Sequence, residues 1–191
     1  MRQLCYYVGT SIDGYIAGPG GEYDFFEPSP ELIGSLVEEL PEVIPTHVRE
    51  ALGMGDPPNA RWDTVVMGRG TYEPALDVGV TSPYAHMRQV VVSTTVAADV
   101  DGAVEVVRAD PLACVRALKA EPSDLGVWLA GGGVLAAELL PEIDEIVVKQ
   151  YPVVAGGGRP MFAGRFDPTS FVLIDQRSFD DGTLVRSFAR R

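Results

Sequence analysis

Little in this chain of 191 residues can hold a metal or a disulfide, because it has two cysteines and two histidines. Cys5 and Cys114 are far apart and lie in apolar patterns, which suits reduced core thiols of a cytoplasmic protein. His47 and His86 are isolated, without the spacing of metal ligands or of a catalytic triad. No apolar run is long enough to span a membrane, and the first residues lack the basic-then-apolar layout of a signal peptide. Positive charge is scarce as well: 15 Lys and Arg against 27 Asp and Glu leave a net charge of −12. That balance argues against nucleic acid or an anionic membrane as a partner. An anionic ligand would need a local basic spot working against the global field. What is abundant is apolar residue, 46% of the chain. With charges spread throughout, this excludes global disorder and suits one domain over residues 1–191 with a real core.

The stretch from Leu125 to Leu140 organises the rest. Val127 to Ala130 is a short apolar run of the kind that makes a strand buried on both faces. Gly131, Gly132 and Gly133 follow. Val134, Leu135, Leu139 and Leu140 then recur at helical spacing until Pro141. Strand, tight glycine turn and helix together aim backbone N–H groups and a helix dipole at one spot, which suits a phosphate. Gly131-x-Gly133-x-x-Ala136 also fits the loose dinucleotide fingerprint. In a Rossmann unit the next strand would end in an acid, and here it ends in Lys149-Gln150. A tight turn with no ligand is the equal alternative at this point.

Other segments repeat the theme. Leu4 to Val8 reads as a strand running into a glycine-bearing loop, Gly9 to Gly21, a common site for a mobile ligand-covering segment. Glu22 to Phe26 is acidic and aromatic. Ser29-Pro30-Glu31 caps a helix carried by Leu32, Leu36 and Leu40, and Pro41 and Pro45 divide the segment to Leu52 into shorter helices. Thr64 to Met67 is a second buried strand, with Gly68-Arg69-Gly70-Thr71 opening another helix. Val90 to Val92 is a third, ending in Ser93-Thr94-Thr95, and Ala103 to Val107 a fourth. Asp110-Pro111 caps the next helix. Val127 to Ala130 and Ile146 to Val148 are strands five and six. Phe171 to Phe179 and Thr183 to Phe188 flank Asp180-Asp181-Gly182, a hairpin signal. The expected architecture is α/β: one mostly parallel sheet of about eight strands, flanked by helices and closed by an antiparallel hairpin. In such sheets ligands sit outside the carboxyl ends of the strands. The loops at Gly9, Gly68, Ser93 and Gly131 all fall there.

With these pieces in order, the chain resembles the dihydrofolate reductase-like superfamily, in the branch of the riboflavin-biosynthesis reductase (RibD C-terminal domain-like). The resemblance rests on Ser11-Ile12-Asp13-Gly14-Tyr15-Ile16-Ala17, Met67 to Glu73, Val92-Ser93-Thr94, Ala130 to Gly133, Pro152 to Phe162 and the final hairpin. It implies NADPH. By that analogy Gly9, Ile16 and Ala17 border the nicotinamide. Arg69 and Thr71 at the start of the second helix, with Ser93 and Thr94, take the adenosine phosphates, strand-end capping being the alternative for Ser93-Thr94; Gly68 is a further cofactor contact, and Gly131, Gly132, Gly133, Val134 and Leu135 receive the pyrophosphate. Read from its chemistry alone, Arg69 is the local cation an acidic protein needs for a phosphate, with a surface ion pair as the alternative.

The catalytic end departs from the folate enzymes. The first helix offers Glu31, Glu38, Glu39 and Glu42, none at an obvious matching place, and the proline-tryptophan pair ahead of that helix is missing. Asp13 and Asp24 are the candidate catalytic acids, with loop capping as the alternative for Asp13. No Cys/His signature of a zinc deaminase is present, and apart from Arg159 and Arg165 the chain lacks extra basic residues that would grip a ribose-phosphate substrate. The first expectation is therefore an NADPH-dependent reductase of a small pterin- or pyrimidine-like heterocycle, or of a related carbonyl or imine. The alternatives are a non-catalytic NADP(H)-binding module and a ligand-free structural domain. The resemblance also implies a homodimer, to which Phe171, Leu173, Phe179 and Phe188 are candidate contributors, with core packing as the alternative.

Overall fold

The computed structural model describes residues 1–98 and 100–191. In chain order, strands β1 (Leu4–Thr10) and β2 (Tyr15–Ala17) are followed by helix α1 (Pro30–Glu39), a 3-10 turn (Pro41–Val43) and α2 (Thr46–Arg49). Then come β3 (Trp62–Gly68), α3 (Arg69–Asp77), β4 (Arg88–Val92), β5 (Val104–Val107), α4 (Pro111–Ala120), β6 (Gly126–Gly131) and α5 (Gly133–Glu138). A second 3-10 turn (Leu140–Glu142) leads into β7 (Glu145–Gln150), β8 (Arg159–Pro160), β9 (Phe171–Ser178) and β10 (Leu184–Arg190).

Eight of these strands form one sheet in the order β5-β4-β3-β6-β1-β7-β10-β9. The pairs from β5 to β7 are parallel, and β10 runs antiparallel to both β7 and β9. The central strands are apolar without alternation because both faces are covered. Leu4, Tyr6, Val66, Val127 and Leu129 pack into one core with Val115 and Leu118 of α4 and Leu135 and Ala136 of α5. Cys5, Tyr7, Val65, Met67, Val91 and Trp128 pack into the other, against Leu36 of α1 and Tyr72 of α3. Burying each such side chain stabilises the fold by about 1.5–3 kcal/mol relative to exposure.

Ser29 caps α1 as its sequence suggests, its hydroxyl accepting from the N–H of Leu32 at 3.2 Å. Glu42, grouped by sequence with the first-helix acids, lies beyond α1 in the 3-10 turn. It is wholly buried, and its carboxylate accepts from the N–H groups of Ala60, Arg61 and Trp62 at 3.1, 2.6 and 3.0 Å. A buried carboxylate needs such donors, and these fix the entry to β3.

The two glycine loops also differ from the expectation of irregular segments. β2 and β8 pair antiparallel as a separate ribbon, Tyr15 against Pro160 and Ala17 against Arg159. A Cβ on Gly158 would lie 2.2 Å from the Ala17 carbonyl oxygen, and Gly158 has φ +141°, so only glycine lets the strands meet there.

Candidate active site

All the parallel strands end at one edge, and their exit loops surround a cleft of about 1160 Å³. That exceeds the roughly 300–1,000 Å³ of an ordinary small-ligand site.

One end gathers two helix starts and two guanidinium groups. β3 passes into α3 through Gly68, and β6 passes into α5 through Gly132; neither helix start carries a side-chain cap. Their first N–H groups are left for a ligand. The two turns abut, since a Cβ on Gly68 would lie 3.4 Å from both the Gly131 carbonyl oxygen and the Gly132 nitrogen. Thr71 stands beside this junction, its hydroxyl 3.5 Å from the Cβ position of Gly131. Gly131 has φ +125°, a backbone that a Cβ would strain, and the Gly131–Gly132 peptide is cis. Arg69 is about half exposed, pairs with Glu73 at 3.3 Å and donates to the Thr95 hydroxyl at 3.2 Å. Arg159 joins it from β8, with Nη1 3.0 Å from the Cβ position of Gly70.

The other end is aromatic. Tyr23, Phe26, Tyr151 and Tyr84 line it, and Phe26 lies 4.9 Å from Tyr151, ring centre to ring centre. Gly9 makes the room: a Cβ there would meet the Tyr151 ring at 3.1 Å. Burial, with Asp181 nearby, pushes the Tyr151 phenol up to about 12. Burial pushes the Lys149 amine down to about 8.

The structure gathers many of the expected residues around this cleft: Gly9, Ile16, Ala17, Gly68, Arg69, Thr71, Gly132, Gly133, Val134 and Leu135 all line it. Ser93 is buried, and its hydroxyl accepts from the N–H groups of Thr95 and Val96 at 3.1 and 3.0 Å, capping the turn after β4. Thr94 is exposed, and its carbonyl receives the Arg108 guanidinium at 2.8 Å. Asp13 clasps one glycine loop to the other. Its carboxylate accepts from Ser11 Oγ at 2.6 Å and from the N–H groups of Ala155 and Gly156 at 3.0 and 2.7 Å. These donors, the Ser11 hydroxyl first, hold its carboxyl down at about 2. Asp24 is exposed and lies off the cleft wall, while its neighbours Tyr23 and Phe26 form part of it. Lys149 and Tyr151 carry no local signal of a site in the sequence, and Arg159 is marked there only as a cation that could grip a substrate phosphate. Their signal is long-range: Lys149 faces Gly9 across β7 and β1, and Arg159 arrives only through the β2–β8 ribbon.

Sheet order, hairpin and paired glycine turns are those of the dihydrofolate reductase-like fold. The chain belongs to the RibD C-terminal domain family, whose model matches residues 2–185. It is similar to the uncharacterized Bacillus subtilis (strain 168) protein YwjB, 27% identical over 184 residues, covering 93% of this chain and 92% of that one. YyaP of the same organism is 24% identical over 196 residues, covering 96% and 93%. Among solved structures, a Shewanella sp. PV-4 protein assigned to riboflavin biosynthesis superposes with a TM-score of 0.71 at 25% identity, over 100% of this chain and 99% of that one. A Thermotoga maritima diaminohydroxyphosphoribosylaminopyrimidine deaminase/5-amino-6-(5-phosphoribosylamino)uracil reductase superposes with a TM-score of 0.65 at 16% identity. The alignment covers 100% of this chain but 57% of the Thermotoga protein, so it speaks to fold alone. No helix among the described residues is long and apolar enough to cross a membrane, and no group of side chains among them is placed to hold a metal ion.

Proposed function

We propose that residues 1–191 act as one domain, an NADPH-dependent reductase of a small heterocyclic (pterin- or pyrimidine-like) or related carbonyl or imine compound. The observation that carries this reading is the phosphate end of the cleft: two uncapped helix starts in contact, flanked by Arg69 and Arg159. Backbone donors and guanidinium groups form the donor set that a dinucleotide's phosphates require. Thr71 and the turns at Gly68 and Gly132 would hold the phosphates, and Gly9, Ile16 and Ala17 would border the nicotinamide. NADPH supplies a hydride when bound; the residues of the cleft orient the acceptor against it and exclude water.

A second reading, a binding module without turnover, is favoured by the acids. Asp13 is committed to its clasp, and Asp24 lies off the wall. Fluorescence titration with NADPH, followed by oxidation assays on pterins, pyrimidines and quinones, separates the two. Binding with turnover supports the reductase, binding alone supports the module, and absence of binding removes both. The composition, with two reduced cysteines, supports a cytoplasmic setting. Homodimer formation is supported by the apolar edge strand β9, where Val172, Leu173 and Ile174 are 42, 49 and 58% exposed.

A further inference from the structure

The chain has two lysines. Lys119 is satisfied, with its ammonium 2.8 Å from Asp144 and 2.9 Å from the Glu142 carbonyl. Lys149 has no such partner. Among the described residues no carboxylate pairs with it, and its Nζ lies 4.7 Å from the centre of the Tyr7 ring. It faces Gly9 across the β1–β7 ladder, and both residues line the aromatic end of the cleft. The Tyr7 hydroxyl beneath is buried without a hydrogen-bond partner. This half-buried ammonium on an aromatic floor has no acceptor among the described residues of the protein, in a chain whose net charge of −12 offers carboxylates everywhere else. An oxygen atom of a ligand lying against Phe26 and Tyr151 would complete its hydrogen bonding.

We propose that Lys149 receives the acceptor's oxygen and supplies its proton, and that the acceptor is therefore a planar conjugated carbonyl compound. This rests on the reductase reading and narrows it. The reduced nicotinamide supplies the hydride to the carbonyl carbon. The C=O π pair moves to oxygen, an N–H bond at Lys149 Nζ breaks, and an O–H bond forms. A hydroxyl group and a neutral amine result, and water returns a proton to the amine. An amine that titrates near 8 is protonated at neutral pH and releases its proton more readily than an ordinary lysine. Tyr7 of β1 lies under its Nζ and Tyr151 follows just past the end of β7; His47, Tyr84, Glu73, Glu138, Arg69 and Arg159 line the same cleft, while Tyr151, Cys5, Glu42 and Arg61 bear on Tyr7. Burial holds all three phenols above their ordinary range, so they keep their protons where Lys149 titrates.

Two measurements test this on the full chain, with phenanthrenequinone as the carbonyl probe. The first needs no turnover: competitive acetylation across pH, read by peptide mass mapping. Lys149 should be half-reactive near pH 8 and be protected by the quinone. Half-reactivity near the ordinary lysine value of about 10.4, or no protection, overturns the proposal. The second is NADPH oxidation. Lys149→Met should lower kcat by about a hundredfold or more, the range of a lost general acid, with NADPH dissociation within about twofold of wild type. Lys149→Arg should recover KM but not kcat, because a guanidinium keeps its proton. Wild-type kcat should fall above about pH 8, and the arginine variant's should not. Undiminished kcat in Lys149→Met overturns the proposal. A wild type that binds no NADPH instead defeats the reductase reading, and the acetylation result then decides whether Lys149 meets a carbonyl at all.

Discussion

Arg159 stands against Gly70: a Cβ on that glycine would lie 3.0 Å from Nη1 of the guanidinium. β8 thus delivers a cation to the first turn of α3, where Arg69 already stands. Both arginines should bind cofactor phosphate. Losing a charge-assisted hydrogen bond costs about 1.5–3 kcal/mol, so Arg69→Ala and Arg159→Ala should each weaken NADPH binding roughly ten- to over a hundredfold. Melting temperature without cofactor should barely move, because exposed arginines contribute little to folding. Titration with NADPH and NADH identifies the contact. The arginine that meets the 2′-phosphate shows a much smaller loss for NADH, and one that meets the pyrophosphate shows equal losses. Unchanged affinity for both cofactors would remove that residue from the site.

Gly133 should tolerate no side chain. A Cβ there would lie 2.1 Å from the Pro160 carbonyl oxygen, a backbone atom that cannot step aside. Gly133→Ala should cost about 1–3 kcal/mol, as overpacking does, and lower the melting temperature by several degrees. A melting curve superposable on wild type would show that α5 and β8 can separate freely.

The Asp13 clasp should open in acid. Its carboxyl is held at about 2 in the fold, below the ordinary 3.8. A carboxyl depressed in this way contributes its full share above the unfolded value and loses it as pH falls through the folded one. Amide exchange at Ala155 and Gly156, corrected for intrinsic rates, should therefore rise between about pH 4 and pH 2. In Asp13→Asn these amides should exchange quickly at every pH. Equal protection in mutant and wild type at pH 7 would deny the clasp.

NADPH should order the segment from Gly9 to Gly21. Gly14 and Gly21 hold φ of +84° and +103°, and their N–H groups bond only within the segment, to the Ser11 and Gly18 carbonyls at 3.1 Å each. Hydrogen exchange with and without cofactor measures this, and identical protection in both states counts against ligand closure.

The exposed trio on β9 should set the oligomeric state. Leu173→Lys with Ile174→Asp should convert a dimer to a monomer in light scattering at micromolar concentration. Wild type that is monomeric there would reject the dimer.

The sheet was legible because its strands are short apolar runs between glycine and proline, and a strand covered on both faces needs no alternation. The turns at Gly68 and Gly131 were legible for the same reason: each follows such a run and opens a helix. The ribbon of β2 and β8 was not, since three residues and two residues carry no period. Arg159 could therefore be read as a cation for a substrate phosphate, but not placed beside Arg69. Lys149 stood at a strand end, where a charge usually meets water, and nothing local marked it as desolvated. Glu42 looked like its acidic neighbours on the first helix, because its donors come from the far side of a Gly/Pro-rich connection. Of the hairpin residues expected at a subunit contact, Phe179 is buried in its own core and Leu173 remains outside.

The central position of β1 has a consequence for synthesis. Its neighbours are β6 and β7, with Leu4 beside Val127 and Cys5 beside Glu145. Of these strands, the earliest to be synthesised is therefore among the last to gain partners. At about 5–20 residues per second, β1 waits roughly 6–25 s for β6 to be made, and longer for β7. Throughout that interval Leu4-Cys5-Tyr6-Tyr7-Val8 is an apolar segment with two open edges, the part of the nascent chain most in need of a chaperone.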